Sequence, residues 1–193
     1  VGLSERTLAD QASKFGFGSK PDSDISMATS KFPTKLNDAQ LALSSIGQYD
    51  VAASPLQMAM VAAGIANDGV LMEPYLTKSV RAANLQTVWT HKDTPMSTPM
   101  TRESAKQLQQ MMVSVVNNGT GRNARIDGVT VGGKTGTAQT SPDKPPYAWF
   151  VGWSDKPKVA VAVFVESSNT ERSEIAGGRL GAPIARDVIE ALR

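Results

Sequence analysis

The nine residues at 132–140 read Gly-Gly-Lys-Thr-Gly-Thr-Ala-Gln-Thr, and the interpretation of this stretch decides the fold and the function of the chain. Lysine supplies a positive charge, the threonines supply hydroxyl groups, and glycine lets a ligand approach the backbone closely. The β-branched triplet at 129–131 directly before it favours a strand. Such residues occur in two kinds of site, a phosphate-binding loop and the ligand-facing edge strand of a sheet.

The composition is that of an ordinary globular domain, and it excludes several classes of site. The chain has 193 residues, of which 40% are hydrophobic and 20% charged, and its net charge of +2 does not call for nucleic acid as a partner. The absence of cysteine excludes disulfides and thiolate nucleophiles. With His91 as the single histidine, multi-histidine metal sites are excluded, and any Ser-His-Asp triad would depend on that residue. We expect neither a metal nor a cofactor. The sequence also contains no apolar run near 20 residues and no signal-peptide pattern.

Helix signals dominate the first two thirds of the chain. Ser54 is a typical N-cap, Pro55 suits the first turn, and Gln57 stands where it would complete a capping box. Thr101 is the N-cap of a second long helix with one apolar stripe. Further helices are predicted at residues 4–15, 37–45 and 183–193.

Strand signals predict a hairpin and then a sheet. Residues 78–82 and 86–91 predict a hairpin that turns near Asn84. Two longer strands, at 147–153 and 159–166, follow the glycine-rich stretch, and their short connections predict antiparallel pairing. Because every residue from 159 to 165 is apolar, we expect helices on both faces of that strand. The order of elements predicts an α+β fold, an antiparallel sheet flanked by helices.

A phosphate-binding loop is the first interpretation of the glycine-rich stretch. Residues 128–135 satisfy the pattern G-x-x-x-x-G-K-[ST] in full. Such a loop needs a strand before it and a helix after it, because the helix N-terminus helps to hold the phosphates. The upstream residues 119–125 form a polar loop, and Gly136 and Pro142 prevent a helix downstream. We therefore interpret the match as coincidence, and nucleotide-dependent thermal stabilisation would contradict that interpretation.

The second interpretation rests on the triplet K-T-G. Penicillin-binding proteins and class A β-lactamases carry three motifs, S-x-x-K, S-x-N and K-T-G, and residues 134–136 are the third. The longer stretch 132–139 resembles class B penicillin-binding proteins, the monofunctional transpeptidases of peptidoglycan synthesis. The resemblance continues in the right order over nearly the whole chain. It includes residues 45–48, 54–59, 67–70, 116–121 and 147–152. The chain most resembles the actinobacterial penicillin-binding protein A type, from which it departs at Tyr49, where many relatives have glycine.

The resemblance implies the penicillin-binding transpeptidase / serine β-lactamase-like fold, incomplete in this chain. Residues 1–193 would be the C-terminal portion of a single transpeptidase domain. The nucleophilic serine of S-x-x-K and the S-x-N motif are expected N-terminal to Val1, so the nucleophile is not in this chain. Two matches, Ser141 to Lys144 and Ser167 to Asn169, follow Lys134 and are interpreted as coincidental.

The resemblance also implies roles for the residues of the K-T-G strand. Lys134 would place a cation at the cleft and join the proton network. The hydroxyls of Thr135 and Thr137 would hold the substrate carboxylate, and the N–H of Thr137 would be one oxyanion-hole donor. Gly136 would let the substrate backbone lie against the strand, and Gln139 would border the cleft. The alternative for Thr135 and Thr137 is that both are ordinary strand residues.

The function implied is peptidoglycan D,D-transpeptidation through a serine acyl-enzyme, the target of β-lactams. Two alternatives stay open, a non-catalytic penicillin-recognising sensor or regulatory module and a serine β-lactamase. The expected partners are the D-Ala-D-Ala stem peptide, β-lactam antibiotics and the N-terminal portion of the same protein. The implied location is the extracytoplasmic face of the cell membrane, with an anchor in a segment outside this chain.

Overall fold

A computed structural model describes residues 3–21, 23–139, 141 and 143–193. The helices are α1 Glu5–Lys14, α2 Asp38–Ser45, α3 Pro55–Ala66, α4 Arg102–Asn118 and α5 Ala182–Ala191. The strands are β1 Leu71–Met72, β2 Ser79–Arg81, β3 Thr87–Thr90, β4 Pro95–Ser97, β5 Val131–Ala138, β6 Tyr147–Asp155 and β7 Lys158–Val165. Short helical turns lie at Arg122–Ala124, Arg172–Glu174 and Gly177–Gly181. The α+β fold class predicted from the sequence is confirmed.

Side-chain caps set where the helices begin. In each of the first four helices an N-cap oxygen accepts a hydrogen bond from a main-chain N–H three residues on, which satisfies one of the donors that a helix start leaves free. The caps are Ser4, Asn37, Ser54 and Thr101. All four helix starts agree with the sequence-based prediction.

The capping box predicted at Gln57 is wrong. The Gln57 side chain is 1% exposed, and its Nε2 donates to the carbonyl of Phe15 at 2.6 Å. The main-chain N–H of Ser54, which a capping box would satisfy, instead donates to Oγ of Ser30 at 3.1 Å. A buried amide needs a partner, and here the end of α1 supplies it, so Gln57 joins α3 to α1.

The predicted hairpin and the predicted sheet are both present. β2 and β3 pair antiparallel, with Leu85 at a positive φ of 65° in the turn beside Asn84. β5, β6 and β7 form a three-stranded antiparallel sheet in that order. Lys134 pairs with Val151 and Thr135 with Phe150, which sets the register of the K-T-G strand.

Helices cover both faces of the three-stranded sheet, as predicted for its last strand. On one face Phe150 and Val161 pack in a cluster with Ala185 and Ile189 of α5. On the other face Trp153 packs with Ile65 of α3 and with residues of α4. Alternate side chains of a strand point to opposite faces, so the apolar residues of β6 and β7 serve two cores at once.

The first two glycines of the K-T-G stretch make room for aromatic rings. A Cβ added at Gly133 would lie 2.3 Å from Cζ of Phe150, and one added at Gly132 would lie 2.4 Å from Cε2 of Trp153. Both rings belong to the neighbouring strand β6 and cross over β5. These two glycines therefore serve packing. They do not cradle a phosphate, and β5 continues as a strand through Lys134 to Ala138, where a phosphate-binding loop would begin a helix.

Candidate active site

The candidate site is the outer edge of β5. β6 is the only strand that pairs with β5 in the described part of the chain. The side-chain Nε2 of Gln48 donates to the carbonyl oxygen of Thr137 at 3.2 Å, so this carbonyl points away from β6. In an antiparallel ladder the N–H and C=O of one residue point to the same side. The N–H of Thr137 therefore also faces the outer edge, where an oxyanion-hole donor has to lie.

Lys134 brings its charge to the same edge. Its side chain is exposed, and Nζ donates to the carbonyl oxygen of Thr135 at 2.6 Å. Thr135 lies two residues before Thr137, so its N–H and C=O face the outer edge as well. The ammonium thus lies beside the main-chain groups that an incoming peptide strand would meet.

Thr135 and Thr137 share one face of the strand. Thr135 is half-buried, and its hydroxyl lies 2.7 Å from the hydroxyl of Thr120. Thr137 is exposed and lies one residue before Ala138, the last residue of β5. Gly136 lies between them, and among the described residues the only atom that a Cβ added there would meet within 4 Å is Cβ of Trp149, at 3.2 Å. Gly136 therefore presents no side chain to a ligand that approaches this part of the strand.

Gln139 is the last residue predicted for the site. It is exposed and follows the end of β5 by one position. The next residue, Thr140, lies outside the described residues. The structure thus brings Lys134, Thr135, Gly136 and Thr137 together along one strand edge and places Gln139 at the end of that edge.

Two residues that the sequence did not assign to the site contact it. Gln48 follows α2 and reaches Thr137 across 89 positions, and Thr120 follows α4 and reaches Thr135 across 15. Local pattern carries no sign of either contact. The only available signal was their position within the stretches 45–48 and 116–121 that resemble the transpeptidases.

The coincidental serine motifs do not begin helices. The main-chain N–H of Lys144 donates to the carbonyl of Ser141 at 3.1 Å, which closes a turn between β5 and β6; Pro142 of this motif lies outside the described residues. Ser167 to Asn169 follow β7 in irregular structure. A nucleophile and its lysine one helical turn apart need a helix, so neither match provides that geometry.

The other features of the described residues that could indicate a site lie outside the K-T-G strand. His91 stacks on Tyr75 with ring centroids 3.6 Å apart beside the hairpin of β2 and β3. No described group of three or more His, Asp or Glu residues is arranged to hold a metal ion. A cavity of about 570 Å³ is lined by Arg125, Ile126, Asp127, Arg186, Glu190 and Arg193, none of which belongs to the K-T-G strand. Over the described residues, no helix combines the length and the apolar character needed to cross a membrane.

Known proteins that are similar to this chain identify its family. A family model described as the penicillin binding protein transpeptidase domain matches residues 2–190. The peptidoglycan D,D-transpeptidase PbpA of Mycolicibacterium smegmatis is 39% identical over 99% of this chain and 40% of its own length. The protein of the same name from Mycobacterium tuberculosis is 38% identical over 99% of this chain and 40% of its own length. The chain therefore spans about 40% of the length of these curated relatives.

Solved structures give the same result for the fold. The crystal structure of PBPA from Mycobacterium tuberculosis superimposes with a TM-score of 0.87 at 36% identity, covering 97% of this chain and 46% of that one. An imipenem acyl-enzyme complex of penicillin-binding protein A from the same organism superimposes with a TM-score of 0.85 at 36% identity, covering 97% of this chain and 42% of that one. The expected fold and the resemblance to the actinobacterial A type are confirmed. The chain belongs to the penicillin-binding protein transpeptidase domain family.

Proposed function

We propose that this chain is part of a peptidoglycan D,D-transpeptidase that cross-links stem peptides through a serine acyl-enzyme and is acylated by β-lactams. The observation that carries the proposal is the outer edge of β5, where the N–H and C=O of Thr137 face outward beside the Lys134 ammonium. Membership of the transpeptidase family and similarity to relatives named peptidoglycan D,D-transpeptidase support the chemistry. An imipenem acyl-enzyme of a similar protein supports β-lactams as ligands.

In this proposal the substrate adds to the outer edge of β5 as an extra strand. A D-Ala-D-Ala peptide would hydrogen-bond to the outward main-chain groups of Thr135 and Thr137. Gly136 between them has no side chain that could hinder the approach of the peptide backbone. The N–H of Thr137 would donate to the oxygen of the attacked carbonyl as negative charge develops there. Removing one such donor costs about 3 kcal/mol of transition-state stabilisation in known enzymes.

The remaining residues would act on the charges of the reaction. The terminal carboxylate of the substrate would accept hydrogen bonds from the hydroxyls of Thr135 and Thr137. The negative charge of the carboxylate strengthens these hydrogen bonds. Lys134 would raise the positive potential at the cleft and take part in proton transfer to and from the nucleophile. Gln139 would border the cleft beyond the end of the strand.

We further propose that residues 1–193 are the C-terminal portion of a single transpeptidase domain. The S-x-x-K serine and the S-x-N motif would then belong to an N-terminal portion that completes the cleft against β5. The chain spans about 40% of the relatives' length, which leaves room for such a portion. The site would lie on the extracytoplasmic side of the membrane, where the substrate is, and the anchor would lie in the same N-terminal portion.

Labelling with a fluorescent penicillin tests the proposal. The complete protein should form a covalent adduct that survives denaturation, and release of D-alanine from a D-Ala-D-Ala peptide with capture by an amine acceptor should show transpeptidation. Lys134→Gln should lower the acylation rate by at least tenfold, on the scale of a lost proton-transfer group. Lys158→Gln is the matched control, because Lys158 is also exposed but lies on β7, which does not pair with β5. Absence of label on a protein with an intact upstream serine would refute the function.

The same experiment separates the alternatives left open by the sequence. A sensor module would be acylated without cross-linking any peptide, and a β-lactamase would release hydrolysed penicillin with rapid turnover. A stable adduct together with amine capture would exclude both.

A further inference from the structure

Thr120 is the second hydroxyl in a pair whose other member belongs to the K-T-G strand. Oγ1 of Thr120 lies 2.7 Å from Oγ1 of Thr135, a normal distance for a hydroxyl–hydroxyl hydrogen bond. Thr120 comes directly after Gly119, the C-cap of α4, so the contact joins a helix end to the edge strand. The pair therefore links the proposed carboxylate-binding hydroxyl to an element outside the K-T-G motif.

The backbone on both sides of Thr120 is held in place. The N–H groups of Gly119 and Gly121 both donate to the carbonyl of Val115, at 3.1 and 3.0 Å. A Cβ at Gly119 would come within 2.9 Å of that carbonyl oxygen, so a larger residue there would disturb the turn. The turn thus fixes the direction in which the Thr120 side chain leaves the backbone.

A second contact fixes Thr120 from the side of the Gly177–Gly181 turn. A Cβ at Gly178 would lie 2.1 Å from the carbonyl oxygen of Thr120 and 3.5 Å from Cγ2 of Thr135. Nδ2 of Asn123 donates to the carbonyl of Gly178 at 2.8 Å and holds this turn against the helix end. Gly178 therefore packs against both members of the hydroxyl pair.

The hydrogen-bonding capacity of hydroxyls gives the pair a direction. Each hydroxyl has one hydrogen to donate and two lone pairs to accept with. One hydrogen lies between the two oxygens, so only one partner keeps its hydrogen for a third group. A carboxylate only accepts hydrogen bonds, so Thr135 can bind one with its hydroxyl only if Thr120 is the donor within the pair.

We propose that Thr120 is a positioning residue for Thr135: it donates to the Thr135 hydroxyl and so directs the hydrogen of Thr135 toward the carboxylate of the ligand. The inference rests on the proposed function, because it takes the carboxylate of a stem peptide or β-lactam as the ligand of Thr135. Thr120 itself touches neither the ligand nor the reacting atoms. Its effect is to exclude the orientation in which the Thr135 hydroxyl donates to Thr120. The Thr135 hydroxyl can then donate a charge-assisted hydrogen bond to the carboxylate without first reorienting.

The test measures second-order acylation rate constants of the complete protein with benzylpenicillin and with its methyl ester, which lacks the carboxylate. Thr120→Val keeps the shape and removes the donor, and it should slow acylation by the acid about tenfold, on the scale of one hydrogen bond to a charged group. Thr120→Ser should restore the rate to within about twofold, since it keeps the donor. The rate with the methyl ester should not change in Thr120→Val.

Coupling and control variants complete the test. The double variant Thr120→Val with Thr135→Val should be no slower than Thr135→Val alone, because Thr120 acts only through Thr135. Thr130→Val is the matched control, an exposed threonine directly before β5. Thr120 is exposed, so Thr120→Ala, which only removes atoms, replaces the valine variant if the latter does not fold.

The outcomes separate this inference from the function on which it rests. If the parent protein is acylated and Thr120→Val reacts with benzylpenicillin as fast as the parent, the function stands and the positioning role is wrong. Equal slowing of the acid and the ester would also refute it, because the effect would not involve the carboxylate. A parent protein that benzylpenicillin does not acylate would overturn both.

Discussion

The side-chain amide of Gln48 donates a hydrogen bond to the main-chain carbonyl of Thr137, 3.2 Å away and 89 residues later in the sequence. Thr137 is the residue whose N–H we assign to the oxyanion hole. A peptide that adds to the outer edge of β5 would use this same carbonyl to accept one of its own N–H groups. In the proposed complex, Gln48 would therefore lie where the substrate strand meets the segment after α2.

Replacing Gln48 by glutamate should impair the site. The carboxylate cannot donate to the Thr137 carbonyl, and its negative charge would oppose both the ligand carboxylate and the oxyanion. We expect penicillin acylation of the complete protein to slow by roughly threefold to tenfold. Gln107→Glu introduces the same charge on an exposed position of α4 and is the control. Equal rates for the two variants would show that Gln48 has no part in the site.

The same glycine-to-alanine change should affect the free energy of unfolding differently at two positions, Gly133 and Gly64. At Gly133 the new Cβ would lie 2.3 Å from the Phe150 ring, which is 0% exposed. We expect a loss of about 1–3 kcal/mol in the free energy of unfolding, the usual range for overpacking. At Gly64, inside α3, the nearest atom is Cδ1 of Leu71 at 3.4 Å, an ordinary contact.

Gly64→Ala should therefore leave the free energy of unfolding unchanged or raise it by up to about 1 kcal/mol, because alanine favours a helix over glycine. Urea unfolding of both variants in the complete protein measures the two values. A Gly133→Ala protein as stable as Gly64→Ala would show that the Phe150 ring does not lie across β5.

Glu5 should make stability depend on pH. Hydrogen bonds from the main-chain N–H groups of Leu36 and Lys35, the former the stronger influence, lower the pKa of the Glu5 carboxyl below its ordinary value of 4.5. Since the folded pKa lies below the unfolded one, the stabilising contribution is complete above the unfolded pKa and is lost as the pH falls through the folded pKa. Glu5→Gln removes this contribution.

The wild-type protein should accordingly exceed Glu5→Gln in Tm at pH 7, and the difference should shrink as the pH falls below about 4.5 toward 3. Thermal unfolding across this range measures it. A difference in Tm that stays constant down to pH 3 would show that ionisation of Glu5 is not responsible.

A polypeptide of residues 1–193 alone should form no covalent adduct with penicillin. The prediction follows from the proposed domain organisation, which places the nucleophilic serine outside this chain. Ser141 and Lys144 provide the one S-x-x-K match in the sequence, and they lie in a turn without helical geometry. Incubation with fluorescent penicillin followed by denaturing electrophoresis checks this, with the complete protein as the positive control. A labelled fragment would contradict the proposed location of the nucleophile.

Local chemistry made much of the fold predictable. Ser54 and Thr101 begin their helices where the N-cap pattern predicts, because a capping oxygen acts on an N–H only three residues away. The strands β5, β6 and β7 could be recognised because β-branched and apolar residues and short connections are local features as well. Gln57 shows the limit of this reasoning. Its spacing from Ser54 predicts a capping box, but burial against Phe15 offered its amide a different partner.

The sequence by itself supplied the candidate residues, Lys134, Thr135, Gly136 and Thr137, because the stretch 132–139 resembles class B penicillin-binding proteins. Only the tertiary structure decided which edge of the K-T-G strand pairs with β6 and which residues support the strand. Among the described residues, β6 is the only strand that pairs with β5 and it occupies one edge, while Gln48 contacts Thr137 and Thr120 contacts Thr135. These contacts join residues 15 and 89 positions apart. They depend on how helices pack against the sheet, and no local pattern records that packing.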